Sequence, residues 1–155
     1  MEQRKNVFIS HIHEDDDGLK KLKTLLNQNG MEIRDSSINS ERPNNAKNEG
    51  YIKNEILAPA IKWAGTFICY ISSQTKNSDW VNWEIEYAAK QGKRIVGIWE
   101  FGQQECEIPN ALKEYADALV GWNGSSIINA INGKDKWENP NGQEFSTLPI
   151  KRHPC

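Results

Sequence analysis

The seven residues from Thr66 to Ser72, TFICYIS, constrain the fold of this chain more than any other stretch. They are nearly all apolar, with no alternation of polar side chains. A strand of that kind needs cover on both faces, the environment of an inner strand in a parallel sheet flanked by helices. The neighbouring segments fit such a sheet. Asn6 to His11, Met31 to Arg34, Arg94 to Phe101 (RIVGIWEF) and Ala118 to Trp122 read as four further strands. Helical patterns lie between them. Glu14 to Asn29 carries Leu19, Leu22, Leu25 and Leu26 on one stripe and stops at Gly30. Tyr51 to Ala64 turns Ile52, Ile56, Leu57 and Ile61 inward, with Pro59 expected to kink or interrupt it. Asp79 to Gln91, closed by Gly92, Asn110 to Tyr115, and Ser125 to Asn132 with a serine cap complete the set. The alternation predicts an α/β fold of flavodoxin-like type: a five-stranded, mostly parallel sheet with helices on both faces.

At 155 residues the chain suits one domain and can bury roughly two thirds of its unfolded surface. Residues 1–133 are expected to form that domain and 134–155 a tail packed on it. Asn139-Pro140-Asn141-Gly142 marks a turn there, and Trp137, Phe145 and Leu148 can pin the segment down. A formal charge of −2 and a pI near 5.9 give no reason to expect nucleic-acid or membrane binding. Val7-Phe8-Ile9 is too short an apolar run for a signal peptide, and no later run reaches membrane-spanning length. Cys69, Cys106 and Cys155 are odd in number and widely spaced, so neither a disulfide framework nor a zinc site is expected, and a reducing cytoplasm fits.

Two places interrupt the structural pattern. Asp35 to Gly50 is a long polar connection, rich in Ser and Asn and broken by Pro43; such connections are functional or mobile. Asp35 and Ser36 are candidate first residues of a lid over a ligand. The other is Ser78-Asp79-Trp80-Val81-Asn82-Trp83-Glu84, directly after TFICYIS. Ser78 or Asp79 can cap a helix, and Trp80 and Glu84, four apart, share one face of it. Helices after parallel strands begin at the sheet edge where α/β proteins bind ligands. Ser10 and His11 end the first strand at that same edge and can bind phosphate or ribose. Spacing alone fits equally a plain amphipathic helix with core tryptophans and a solvated glutamate.

Other chemistry is absent from the pattern. His11, His13 and the acids Glu14 to Asp17 form a consecutive run without ligand geometry, and acids in a first helical turn suit the helix dipole. No metal site is expected. A phosphorylatable receiver would need an aspartate where the third strand ends in Ser72-Ser73, and no glycine-rich phosphate loop is present. Lys20, Lys21 and Lys23 read as a solvated helix face.

Three segments, in order, resemble a TIR domain of the bacterial TIR-like branch. Val7-Phe8-Ile9-Ser10-His11 resembles the first-strand motif. Asp79-Trp80-Val81-x-x-Glu84-Ile85 resembles the third-helix motif that carries the catalytic glutamate of NAD-cleaving TIR enzymes. Gly92-Lys93-Arg94-Ile95-Val96-Gly97-Ile98 resembles the entry to the fourth strand. The likeness spans about residues 6 to 132 and is greatest to the TIR-like sensor subunits of Thoeris antiphage systems. Asp35 to Gly50 lacks the usual TIR loop pattern, an aspartate followed by hydrophobic-Pro-Gly residues, so loop and interface residues do not carry over.

The resemblance implies NAD as substrate rather than as a bound cofactor, and a cyclic ADP-ribose-type product that activates a separate effector. It further implies a phage-derived trigger and self-association on activation. NAD cleavage breaks the nicotinamide–ribose bond, and the pyridinium leaves neutral without a general acid. One carboxylate therefore suffices, unlike the two of ordinary glycoside hydrolysis. Glu84 is the candidate, holding ribose hydroxyls and stabilising the oxocarbenium charge; Glu86 points elsewhere and is expected in solvent. Phe8, Ser10, His11, Asp35, Ser36, Trp80 and Trp83 are the candidate substrate contacts. Phe8 suits the core as well, and Trp83 suits core or interface as well as ligand. Two readings stay open beside NAD cleavage. One is a non-catalytic TIR-like interaction module. The other is a nucleoside deoxyribosyltransferase-like enzyme with Glu84 as nucleophile.

Overall fold

The computed structural model describes residues 3–12, 16–35, 57–100 and 108–138. Five strands form one sheet: β1 Gln3–Ser10, β2 Met31–Asp35, β3 Thr66–Ile71, β4 Arg94–Trp99 and β5 Ala118–Val120. All neighbours pair in parallel, in the order β2-β1-β3-β4-β5. Five α-helices are described: α1 Asp16–Gln28, α2 Ala58–Trp63, α3 Asp79–Lys90, α4 Asn110–Tyr115 and α5 Gly124–Ile131. This is the flavodoxin-like order expected from the alternation.

Side-chain alternation along the strands splits the core in two. Val7, Ile9, Ile68, Val96 and Ile98 face α1 and α5, where they meet Leu19, Leu22, Leu26 and Ile127. Phe8, Phe67, Cys69, Ile71 and Ile95 face the other way, toward Ile61, Val81, Ile85 and Leu112 of α2, α3 and α4. All six residues of β3 are buried, as its composition demands.

Several boundaries move for local reasons. β1 begins three residues earlier than expected, because Gln3, Arg4 and Lys5 pair with Met31, Glu32 and Ile33 of β2. Main-chain pairing there outweighs side-chain polarity. β4 and β5 are shorter than expected, ending at Trp99 and Val120. Pro59 lies in the first turn of α2, where its missing N–H would have no helical partner, and it causes no interruption. α5 is capped not by Ser125 but by Asn123, whose side chain accepts from Ser126 N. Gly30 and Gly92 end α1 and α3 with positive φ, +87° and +71°. Residues 36–56, 101–107 and 139–155 lie outside the described part. The long polar connection beyond Asp35, the first half of the Tyr51 helix, Phe145 and Leu148 therefore do too.

The chain after α5 returns to the sheet. Leu119 N donates to Lys136 O at 2.8 Å, and Glu138 N donates to Leu119 O. Trp137 thereby forms a parallel bridge with Leu119, and its side chain is buried in the core layer of α2–α4. Trp99 Nε1 donates to Glu138 O at 2.9 Å. The Glu138 carboxylate is buried and accepts from Gly121 N at 2.9 Å and Ser126 Oγ at 3.1 Å. Its charge therefore sits against the first turn of α5.

α4 depends on a neighbour for its start. Its N-cap is Pro109, which offers no side-chain acceptor, and Asn82 Oδ1 of α3 accepts from Ala111 N at 3.0 Å instead. Asn82→Ala is expected to cost about 1–2 kcal/mol in urea unfolding, the usual worth of a lost cap, with Asn82→Asp keeping most of it.

Candidate active site

In the order β2-β1-β3-β4-β5 the chain leaves β1 toward one side and, after β2, resumes on the other. The crevice above the C-terminal ends of β1 and β3 is thus the switch point, where open α/β sheets bind ligands. Ser10 is the last residue of β1, paired with Cys69 of β3. It points to the α3 side, two residues on from Phe8.

α3 supplies the opposing group. Ser78 is its N-cap, with Oγ accepting from Val81 N at 3.1 Å, so of the two expected caps it is the serine that serves. The helix packs across β1, β3 and β4, turning Val81, Glu84, Ile85 and Ala88 inward. Three of these are apolar. The fourth is a glutamate only 2% exposed.

Ser10 Oγ donates to Glu84 Oε1 at 2.6 Å. Ser10 itself is 1% exposed. This is at the short end of the range for a hydroxyl–oxygen hydrogen bond. It fixes the rotation of the carboxyl group and holds an acid within the layer that also contains Phe8, Cys69 and Ile85. A buried acid is costly to retain, and at the switch point of the sheet that makes it a functional candidate. Removing the hydroxyl leaves the buried acid short of a donor, so Ser10→Ala is expected to lower stability by about 1–3 kcal/mol in urea unfolding.

The other candidate residues divide. His11 is buried next to Ser10, its Nδ1–H donating to Ile9 O at 2.8 Å, so the ring is oriented by its own strand. Trp80 is half-buried at the edge of the α3 core layer, one turn before Glu84. Trp83 is also half-buried, its ring stacked on Tyr87 with centroids 5.2 Å apart and planes at 12°. Phe8 is core: its ring is 1% exposed and lies over Phe67 at 5.5 Å, so packing occupies the face a ligand would need. Asp35 closes β2 opposite Val7, and Ser36 lies outside the described residues. Glu86 is exposed. The structure thus joins Ser10 to Glu84, buries His11 against its own strand next to Ser10, and assigns Phe8 to the core.

Some residues near this edge carry no signal in the sequence. Glu100, just past β4, accepts from the Tyr70 hydroxyl at 3.4 Å. Thr75 is fully buried below the β3–α3 turn, its Oγ1 accepting from Ser72 N at 2.8 Å. Only the tertiary fold gives these positions meaning.

Comparison with known proteins adds a family. No curated protein matches the chain. Among solved structures it is similar to the CMP N-glycosidase BcmB of Clostridium botulinum, at 20% identity and TM-score 0.41, over 61% of this chain and 68% of that one. It is similar also to the TIR domain of the Toll-related receptor TRR-2 of Hydra magnipapillata. That match has 18% identity and TM-score 0.49, over 81% of this chain and 90% of the other. Among the described residues no helix is long and apolar enough to cross a membrane. Residues 8–105, which include Ser10, Glu84 and the strands between them, match the family described as Thoeris protein ThsB, TIR-like domain, and the chain belongs to that family.

Proposed function

We propose that this TIR-like protein is an NAD-processing enzyme of antiphage defence, with Glu84 as its catalytic group. The observation that carries the reading is the buried Ser10–Glu84 pair, 2.6 Å apart at the switch point of the sheet. A single oriented carboxylate meets the demand of the chemistry. The bond from ribose C1′ to the pyridinium nitrogen breaks, its electron pair neutralises the ring, and nicotinamide leaves without a proton. Positive charge then grows on the ribose, and a fixed carboxylate in a water-poor site stabilises it strongly. Water adding at C1′ and losing a proton gives ADP-ribose. An internal hydroxyl or ring nitrogen adding instead gives a cyclic product, and such a product would reach a separate effector by diffusion. Trp80 and Trp83 flank the α3 edge of this site and suit a folded dinucleotide. His11 and Asp35 are further contacts in this proposal. NAD is the substrate, and no resident cofactor or metal is required.

The test is incubation of the protein with NAD and, separately, with deoxynucleosides. Both are run alone and with extracts of phage-infected cells, and the products are read by chromatography and mass. Nicotinamide release that depends on Glu84 supports the proposal, and the product mass separates hydrolysis from cyclisation. Base exchange on deoxynucleosides would assign Glu84 to a transferase instead. No turnover under any condition would leave an interaction module.

A further inference from the structure

Away from Glu84, on the opposite face of the sheet, one side of α1 and the residue Trp122 enclose a groove of about 360 Å³. Lys20, Lys21, Thr24, Leu25, Gln28 and Trp122 line it. The five α1 residues fall on one helix face and share the groove with the indole. Two of them are ammonium groups, and among the described residues the lining contains no carboxylate, in a chain of net charge −2. The described lining is thus basic, unlike the chain as a whole, with Asp17 one turn earlier on the same helix face.

The indole is held in place. Trp122 meets Tyr70 edge to face, with centroids 6.3 Å apart and planes at 86°. Tyr70 is itself buried, with its hydroxyl at Glu100 and against the backbone of Gly18, where any Cβ would overlap it. Trp122 is half-buried and packs against the α1–α5 core layer. It thus offers a fixed, partly exposed aromatic surface at the wall of the groove. A fixed ring loses little freedom on binding a flat partner.

A ligand that uses both halves of this surface needs a planar ring and a negative charge. Nucleotides have both: every base presents a π-face for stacking, and phosphates suit paired lysines. The volume lies in the range of small-molecule sites, at its lower end, which suits one nucleotide rather than a larger ligand. We propose that this groove binds a nucleotide, with its base against Trp122 and its phosphates at Lys20 and Lys21. The site shares no residue with the Ser10–Glu84 pair and does not depend on NAD cleavage.

The test follows the indole N–H signals of the isotopically labelled protein during titration with ADP. The Trp122 signal is identified by its disappearance in Trp122→Phe. ADP is expected to move it saturably, with adenosine and inorganic diphosphate each binding more weakly. The double variant Lys20→Gln/Lys21→Gln, both on an exposed helix face, is expected to weaken ADP binding about tenfold or more, with a shallower salt dependence. Glu84→Gln is expected to leave the titration unchanged. A Trp122 signal that ADP does not move, or an affinity that the lysine variant leaves intact, would overturn the proposal. So would a response that vanishes in Glu84→Gln, which would place the ADP at the other site.

Discussion

Glu84→Gln is expected to reduce NAD cleavage by about two to three orders of magnitude, the effect of removing one preorganised electrostatic stabiliser from an active site. The substitution is nearly isosteric. The amide oxygen can still accept from Ser10 Oγ, so the 2.6 Å contact seen with the carboxylate has a successor. Stability should therefore hold to within about 1 kcal/mol, because the side chain keeps its volume and an acceptor for the Ser10 hydroxyl. The two measurements together are what discriminate. A large loss of nicotinamide release with an unchanged urea midpoint assigns Glu84 to the chemistry. Equal loss of both would make it a structural acid, and full activity would dismiss it. Protein incubated in infected-cell extract is the proper sample, since a silent resting state would hide the difference.

Trp137→Ala is expected to cost about 3–5 kcal/mol, the range for deleting a buried aromatic side chain. That is a large part of the roughly 5–15 kcal/mol available to a domain of ordinary stability. The indole is 5% exposed and sits in the same layer as Leu112, Leu119 and Trp99. Its loss also loosens the Leu119–Lys136 and Trp99–Glu138 hydrogen bonds that flank it. Urea unfolding followed by circular dichroism reads the loss directly, and Trp137→Phe should recover much of it. If Trp137→Ala unfolds with an unchanged midpoint, residues 134–138 are an appendage. If it loses several kcal/mol, they belong to the folding unit, although they lie well beyond residue 105, where the family match stops.

Much of this fold is legible in the chain, because buried parallel strands leave an unambiguous mark. TFICYIS can only be an inner strand, and the leucines of Asp16–Gln28 can only be one face of a helix. The site was legible in part. Glu84 stands out through its motif and its place after β3, and Ser10 through the edge at which β1 ends. Their contact joins residues 74 apart and follows from sheet order, which local periodicity does not encode. Phe8 and Trp83 show the complementary limit. An aromatic residue near a site can serve core or ligand: burial against Phe67 puts Phe8 in the core, while Trp83, stacked on Tyr87, stays half-buried. Lys136 to Glu138 is harder still. Three residues of mixed polarity carry no strand signature, and they become one only because the outer main-chain groups of Leu119 need partners.

Those partners have a consequence for how copies of the protein can meet. An open strand edge is an invitation to add a further strand, whether from a second copy or from an aggregate. Along β5 that invitation is already taken up by the chain's own residues 136–138, with Trp137 as the bolt beneath them. Assembly that leaves the fold intact must therefore proceed by surfaces other than this edge. Growth by strand addition there would first require the bolt to be drawn, and the amide proton of Leu119, sheltered by Lys136 O, would exchange rapidly with solvent when it was.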